Sequence, residues 1–221
     1  MLLVVAKLKD LIKYYGFSIR ITGKSGIRCV SGIGEATKTK LLNEGIEGYK
    51  LKEYGTLIIP DQIIDEYPLI KGGSKVALGK SYGYEADGSL KNVVFDVNDG
   101  RIRFTGVLVG LKPSQYKTDF AFRGYAVLTK DGEDVVIYGQ IVARNIYYLA
   151  ERSLNRGEFK EGSAADLFLK KLIADADALE TPDEGGNAGD VSGGDAADGE
   201  VSGGDAASGT VSGGNADGAN N

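Results

Sequence analysis

Val93-Val-Phe-Asp-Val-Asn-Asp-Gly-Arg-Ile-Arg-Phe-Thr-Gly-Val-Leu-Val109 is the stretch that decides the fold. Two runs rich in Val, Ile and Phe flank Asn98-Asp-Gly100, and Asp-Gly readily takes the positive φ angles of a tight hairpin turn. A second hairpin is predicted from residues 118–129 and 135–142 around Asp131-Gly132. Upstream, Phe17-Ser-Ile-Arg-Ile-Thr22 alternates apolar and polar residues, then Gly23-Lys-Ser-Gly26 turns the chain into Ile27-Arg-Cys-Val-Ser31. Residues 49–60 form a further strand ended by Pro60, which has no N–H to give a ladder, and residues 74–80 form a weaker one. A parallel sheet needs a helical crossover between strands, and this spacing leaves no room for them. The expectation is a mainly β, antiparallel, sandwich-like domain with short peripheral helices.

Those helices have their own signals. Val4, Leu8, Leu11, Ile12 and Tyr15 fall at helical spacing before Gly16, which predicts an N-terminal helix over residues 1–16. Residues 35–44 read as a helix stopped by Gly45, and residues 61–73 as irregular. Two more helices, about 144–155 and 164–180, are announced by Asn145 and by Ser163 with Asp166 as N-terminal caps, closing a β body of residues 17–180. From residue 181 the apolar periodicity stops, and from Val191 the chain is a ten-residue repeat whose units begin Val191-Ser-Gly-Gly, Val201-Ser-Gly-Gly and Val211-Ser-Gly-Gly. One valine in ten residues does not offset the ordering entropy, so residues 181–221 are expected to form a disordered acidic linker.

Composition removes several chemistries. With no histidine, no Ser-His-Asp or Cys-His nucleophile system and no imidazole metal site can form. The one cysteine, Cys29, forms no disulfide within the chain and sits in an alternating apolar run, where a buried thiol is expected. Residues 181–221 hold six Asp and two Glu with no Lys or Arg. Since the whole chain is −5, residues 1–180 carry +3, with no basic run that would track a nucleic-acid backbone. The opening apolar run is too short for a membrane span, and it lacks the charged flank and cleavage site of a signal peptide. Neither a nine-residue calcium roll nor an EF-hand loop matches the tail's ten-residue period, so no metal or other cofactor is expected.

The candidate binding site is Ser81-Tyr-Gly-Tyr-Glu-Ala-Asp-Gly-Ser89, read as a loop. If its backbone is extended, Tyr82 and Tyr84 point the same way and offer a short aromatic platform for a sugar ring, with Glu85 and Asp87 to accept hydroxyl protons. Arg20, Arg28, Arg103 and Arg123 alternate with apolar residues on strands, with Glu53 and Asp119 nearby, and read as a solvated cross-strand charge ladder. No catalytic residue is singled out: the acids fall in turns, helices and linker, none inside an apolar run that would raise its pKa.

Gly26–Ser31, Glu53–Pro60, Phe104–Leu108, Tyr116–Tyr125 and Val136–Tyr147 together resemble a domain of large secreted or surface multidomain proteins of anaerobic Gram-positive gut bacteria. Its typical wording is similar to G-(I/L)-R-F-V-S, E-Y-G-T-L-(I/L)-(I/L)-P, F-T-G-V-L, Y-x-T-x-(F/I)-x-(A/F)-R-G-Y and V-(I/V)-Y-S-x-x-x-(A/S)-R-S-I-Y. Coverage is about residues 17–150, with Cys29 in place of an aromatic and Gly139 and Asn145 in place of serines. The resemblance implies an extracellular or cell-surface setting and modularity, and assigns no active site. The expected function is a non-catalytic accessory or spacer module; the alternatives are a glycan-binding module and a fragment of a polysaccharide hydrolase. Partners on this reading are glycans or neighbouring modules of a parent protein, without nucleic acid and without a membrane span in this chain.

Overall fold

A computed structural model describes Leu8, residues 10–179 and the short strand Val201–Gly203. Among the described residues, ten strands form two antiparallel sheets. The first runs β1 (Ile12–Arg20), β2 (Gly26–Gly34), β7 (Arg101–Val109), β10 (Val201–Gly203), with β6 (Asp96–Asn98) also on β7. The second runs β5 (Leu90–Asn92), β4 (Ala77–Tyr84), β3 (Lys50–Pro60), β8 (Phe120–Lys130), β9 (Glu133–Arg144). Helix α1 (Glu35–Asn43) follows β2, and α2 (Ile146–Asn155) and α3 (Ala164–Asp177) follow β9.

Both hairpin turns form as their sequences require. Asp99 and Gly100 have φ of 50° and 65°, and Asp131 and Gly132 have 53° and 84°, the mirror-image turn whose twist suits paired strands. The caps also form: Asn145 Oδ1 accepts the Tyr148 N–H at 2.7 Å and Ser163 Oγ that of Asp166 at 3.3 Å.

At the N-terminus the structure corrects the sequence reading. Leu8 is helical as expected, but residues 12–16 are strand, not helix; residues 1–7 and 9 lie outside the described residues. In β1, Tyr14 pairs with Ser31 and Gly16 with Val30, so Tyr15 is an extra residue, and Gly16 (φ 140°) marks a bulge, not a helix end. The bulge shifts the alternation by one, which puts Ile12 and Phe17 on the same inward face although they are five residues apart. That break in period two leaves Leu8, Leu11, Ile12 and Tyr15 looking helical.

Between the sheets lie two adjoining clusters. One gathers Ile12, Ile33, Leu41, Tyr54, Phe104 and Leu128; the other gathers Phe17, Ile27, Cys29, Ile58 and Phe122 and extends onto Leu149 of α2 and Leu169 and Leu172 of α3. Each such buried side chain contributes about 1.5–3 kcal/mol. The sheets approach closely at Gly106, where a Cβ would stand 2.5 Å from Thr56 Cβ. A third cluster lies on the outer face of the second sheet. There the segment 61–76, irregular apart from the 3-10 turn Asp61–Ile63, folds back and lays Leu69, Ile63, Ile64, Tyr67 and Val76 over Leu57, Ile59, Ala121 and Tyr125.

Two further departures bear on function. Ser81–Tyr84, expected in a loop, belong to β4. Of the tail, Val201–Gly203 add a strand to the first sheet, contrary to the expectation of a wholly disordered linker; the rest of that expectation falls outside the described residues.

Candidate functional site

The end of β4 collects the ionisable groups around the expected site. Tyr54 pairs with Tyr82 but Gly55 with Lys80, so Ser81 is an extra residue and Lys80 turns to the outer face of the second sheet. Glu53 lies there with its side chain only 14% exposed. It accepts from Tyr125 Oη at 2.6 Å and faces Lys71 Nζ at 3.6 Å and Lys80 Nζ at 3.9 Å. Burial first, then the Glu53 hydrogen bond and charge, push the Tyr125 phenol up. Lys80 donates to the Tyr84 carbonyl at 2.8 Å and meets Glu85 at 3.3 Å, while Lys91 of β5 meets Glu85 at 3.8 Å. Asp87 Oδ1 accepts from Ser89 N–H at 2.9 Å and Ser89 Oγ at 2.6 Å, which holds its carboxyl below the usual carboxylate range.

The two expected platform tyrosines part company. Tyr82 stacks on Tyr54, centroids 5.3 Å apart and planes 8° off parallel, so that face of its ring is covered. Tyr84 is 68% exposed. Between them Gly83 has φ 132°, not the regular extended backbone that aligns alternate side chains.

Beneath Tyr82 lies a group that sequence reasoning did not single out. Lys38 of α1 is 6% exposed; its Nζ donates to Tyr54 Oη at 2.9 Å and to Asn92 Oδ1 at 3.4 Å, and lies 5.0 Å from the Tyr82 centroid and 5.1 Å from that of Tyr54. Burial lowers the Lys38 ammonium and raises both phenols. The arrangement holds a cation over two aromatic faces and ties α1 to β3, β4 and β5. The signal was available in the spacing: Lys38 stands three residues before Leu41, on the helix face that is buried.

Arg123 departs from the expected ladder. Arg123 Nε donates to the Gly139 carbonyl at 3.0 Å, its Nη1 to the Leu69 carbonyl at 3.2 Å, and the guanidinium lies 4.3 Å from the Tyr138 ring centroid. Tyr138 Oη in turn accepts from the Lys71 N–H at 3.1 Å, so both residues fasten segment 61–76 to the sheet. Arg28 lies over Phe95 and Arg103 over Tyr15. Arg103 has the expected kind of cross-strand acid, Asp96 at 3.7 Å, while Asp119 accepts from Asn145 Nδ2 at 2.8 Å. Aromatic partners and carbonyl acceptors supplied by a folded-back loop are invisible to a strand-by-strand reading. Cys29 is 1% exposed, and burial raises its thiol well above the ordinary range.

An open hollow lined by Asp61, Gln62, Ser114, Lys117, Thr118 and Asp119 lies at the other end of β3 and β8. Its Lys117 is paired with Asp177 at 2.9 Å and lies over Tyr147. Among the described residues no group of three or more Asp, Glu or Cys could hold a metal ion, and no helix is long and apolar enough to cross a membrane. Comparison of the chain with protein-family models, with curated proteins and with solved structures finds no match.

Proposed function

We propose that the chain is a non-catalytic accessory or spacer module of a bacterial cell-surface or secreted multidomain protein. One observation supports this reading above the others: the charged groups around the end of β4 are engaged with the fold itself. Glu53 receives Tyr125 and two lysines, Glu85 receives Lys80 and Lys91, and Asp87 closes its own turn. Carboxylates whose oxygens are occupied by the fold's own donors serve as structural acceptors and leave little for a ligand to engage. The sequence resemblance supplies the setting.

A second reading, a glycan-binding module, rests on Tyr84, which is 68% exposed and adjoins Glu85, itself paired with Lys91. Affinity electrophoresis of the full chain through gels containing mucin, cell-wall or plant polysaccharides separates the two. The spacer reading expects equal mobility with and without glycan. Retardation that disappears in Tyr84→Ala establishes the second reading instead.

A further inference from the structure

The edge of β7 is filled in two instalments. Its first part is covered by β6, whose pairing spans Arg101–Arg103, with the Phe95 N–H donating to the Arg103 carbonyl at 2.8 Å. The chain segment that supplies β6 comes from β5 on the edge of the other sheet, so it crosses from sheet to sheet and leaves β7 beyond Arg103 uncovered. An uncovered strand edge presents unpaired N–H and C=O groups that pair readily with another extended segment. Here that segment is β10: Val201 pairs with Leu108, Ser202 with Val107 and Gly203 with Gly106, antiparallel.

Those residues open the second of three tail repeats, each of which begins Val-Ser-Gly-Gly. We propose that β7 from Gly106 to Leu108 is a strand-acceptor site whose ligand is this tetrapeptide, and that the copies beginning at Val191, Val201 and Val211 are interchangeable occupants. Main-chain pairing is indifferent to which copy supplies it, and the ten-residue period presents the same four residues each time. The reach is sufficient. Thirteen residues separate Asp177 from Val191, and they span up to about 45 Å when extended. A body of this size has a radius of gyration of about 16 Å. The tail is thus a built-in ligand present in triplicate. Its tether sets an effective concentration of about a millimolar, which an external strand must exceed to displace it.

The test uses the full chain and amide hydrogen exchange at Gly106–Leu108. In an antiparallel pair, alternate residues bond across a given edge, so a Ser202→Pro/Gly203→Pro double change removes a donor whichever register position is bonded. With two copies left, exchange should quicken by no more than about 1.5-fold, the statistical loss of one site in three. The same pair of changes in all three repeats, adding Ser192→Pro, Gly193→Pro, Ser212→Pro and Gly213→Pro, should speed exchange about tenfold or more. A synthetic peptide of residues 201–210, at millimolar concentration, should then slow it again. If the central double variant exchanges as fast as the sixfold one, the copies are not interchangeable. If the sixfold variant is as protected as the wild type, or the peptide leaves its exchange unchanged, β7 is not an acceptor for this strand.

Discussion

Arg123 shows most clearly how a residue's partners decide its energetics. In a solvated ladder its loss would cost about 1 kcal/mol or less and would fade at high salt. Its guanidinium instead donates to the Gly139 and Leu69 carbonyls and covers Tyr138. A charged donor to a carbonyl contributes about 1.5–3 kcal/mol, so Arg123→Gln should destabilise by about 2–3 kcal/mol, with the same loss at 0.1 and 1 M salt in urea unfolding. A smaller loss that vanishes in salt returns the residue to the ladder. Cys29 sits where alternation with Ile27 predicted, inward on β2. Cys29→Asp should cost several kcal/mol because it buries an unpaired carboxyl, and the native thiol should react with a polar disulfide reagent only as fast as the domain opens. Rapid labelling would place it on the outer face.

At the scale of elements, what was legible is what local chemistry dictates. Asp99-Gly100 and Asp131-Gly132 fixed two hairpins, Asn145 and Ser163 fixed two helix starts, and Gly45 follows closely on the end of α1. What was not legible depends on partners distant in the chain. The bulge at Tyr15 hides β1 by breaking its period; Ser81–Tyr84 look like loop because their strand character comes from pairing with β3 and β5; segment 61–76 carries apolar residues whose place is set only by the outer face of β3 and β8. The same limit explains the candidate site. Tyr84 and Glu85 could be named from sequence, whereas Lys38 and Tyr125 are brought in from other elements, and Glu53, read there as an acid of the arginine ladder, proves to face Tyr125, Lys71 and Lys80.

The start of α3 offers a pH test. The Gly162 N–H, and after it Lys170, hold the Asp166 carboxyl below its ordinary value of 3.8. A depressed folded-state pKa stabilises above the ordinary value and loses that contribution as pH falls through the depressed one. Asp166→Asn should therefore lower the melting temperature at pH 7, with the gap to wild type closing as pH drops below 3.8. A gap that stays constant with pH would remove the carboxylate from the account.

For the whole molecule, the interior is closed by α2 and α3 at one end and by β6 and β10 along β7, while segment 61–76 covers the outer face of the second sheet. From composition alone, removing residues 181–221 should shift melting by no more than a degree or two. With β10 in the sheet, the loss of its backbone pairing should cost about 1 kcal/mol, or about 2–4 °C in thermal unfolding. No change at all would detach the tail from β7.

On the spacer reading, the polar cluster at the end of β4 serves the fold and not a ligand. A ligand at ten times its dissociation constant stabilises by about 1.4 kcal/mol, which raises melting by about 3–6 °C at this size. Thermal unfolding of the full chain with and without a panel of soluble oligosaccharides, neutral, acidic and amino-sugar, at tens of millimolar is therefore the most direct measurement. The account expects superimposable transitions for every sugar. A rise of several degrees with one class of sugar, absent in Tyr84→Ala, would contradict it.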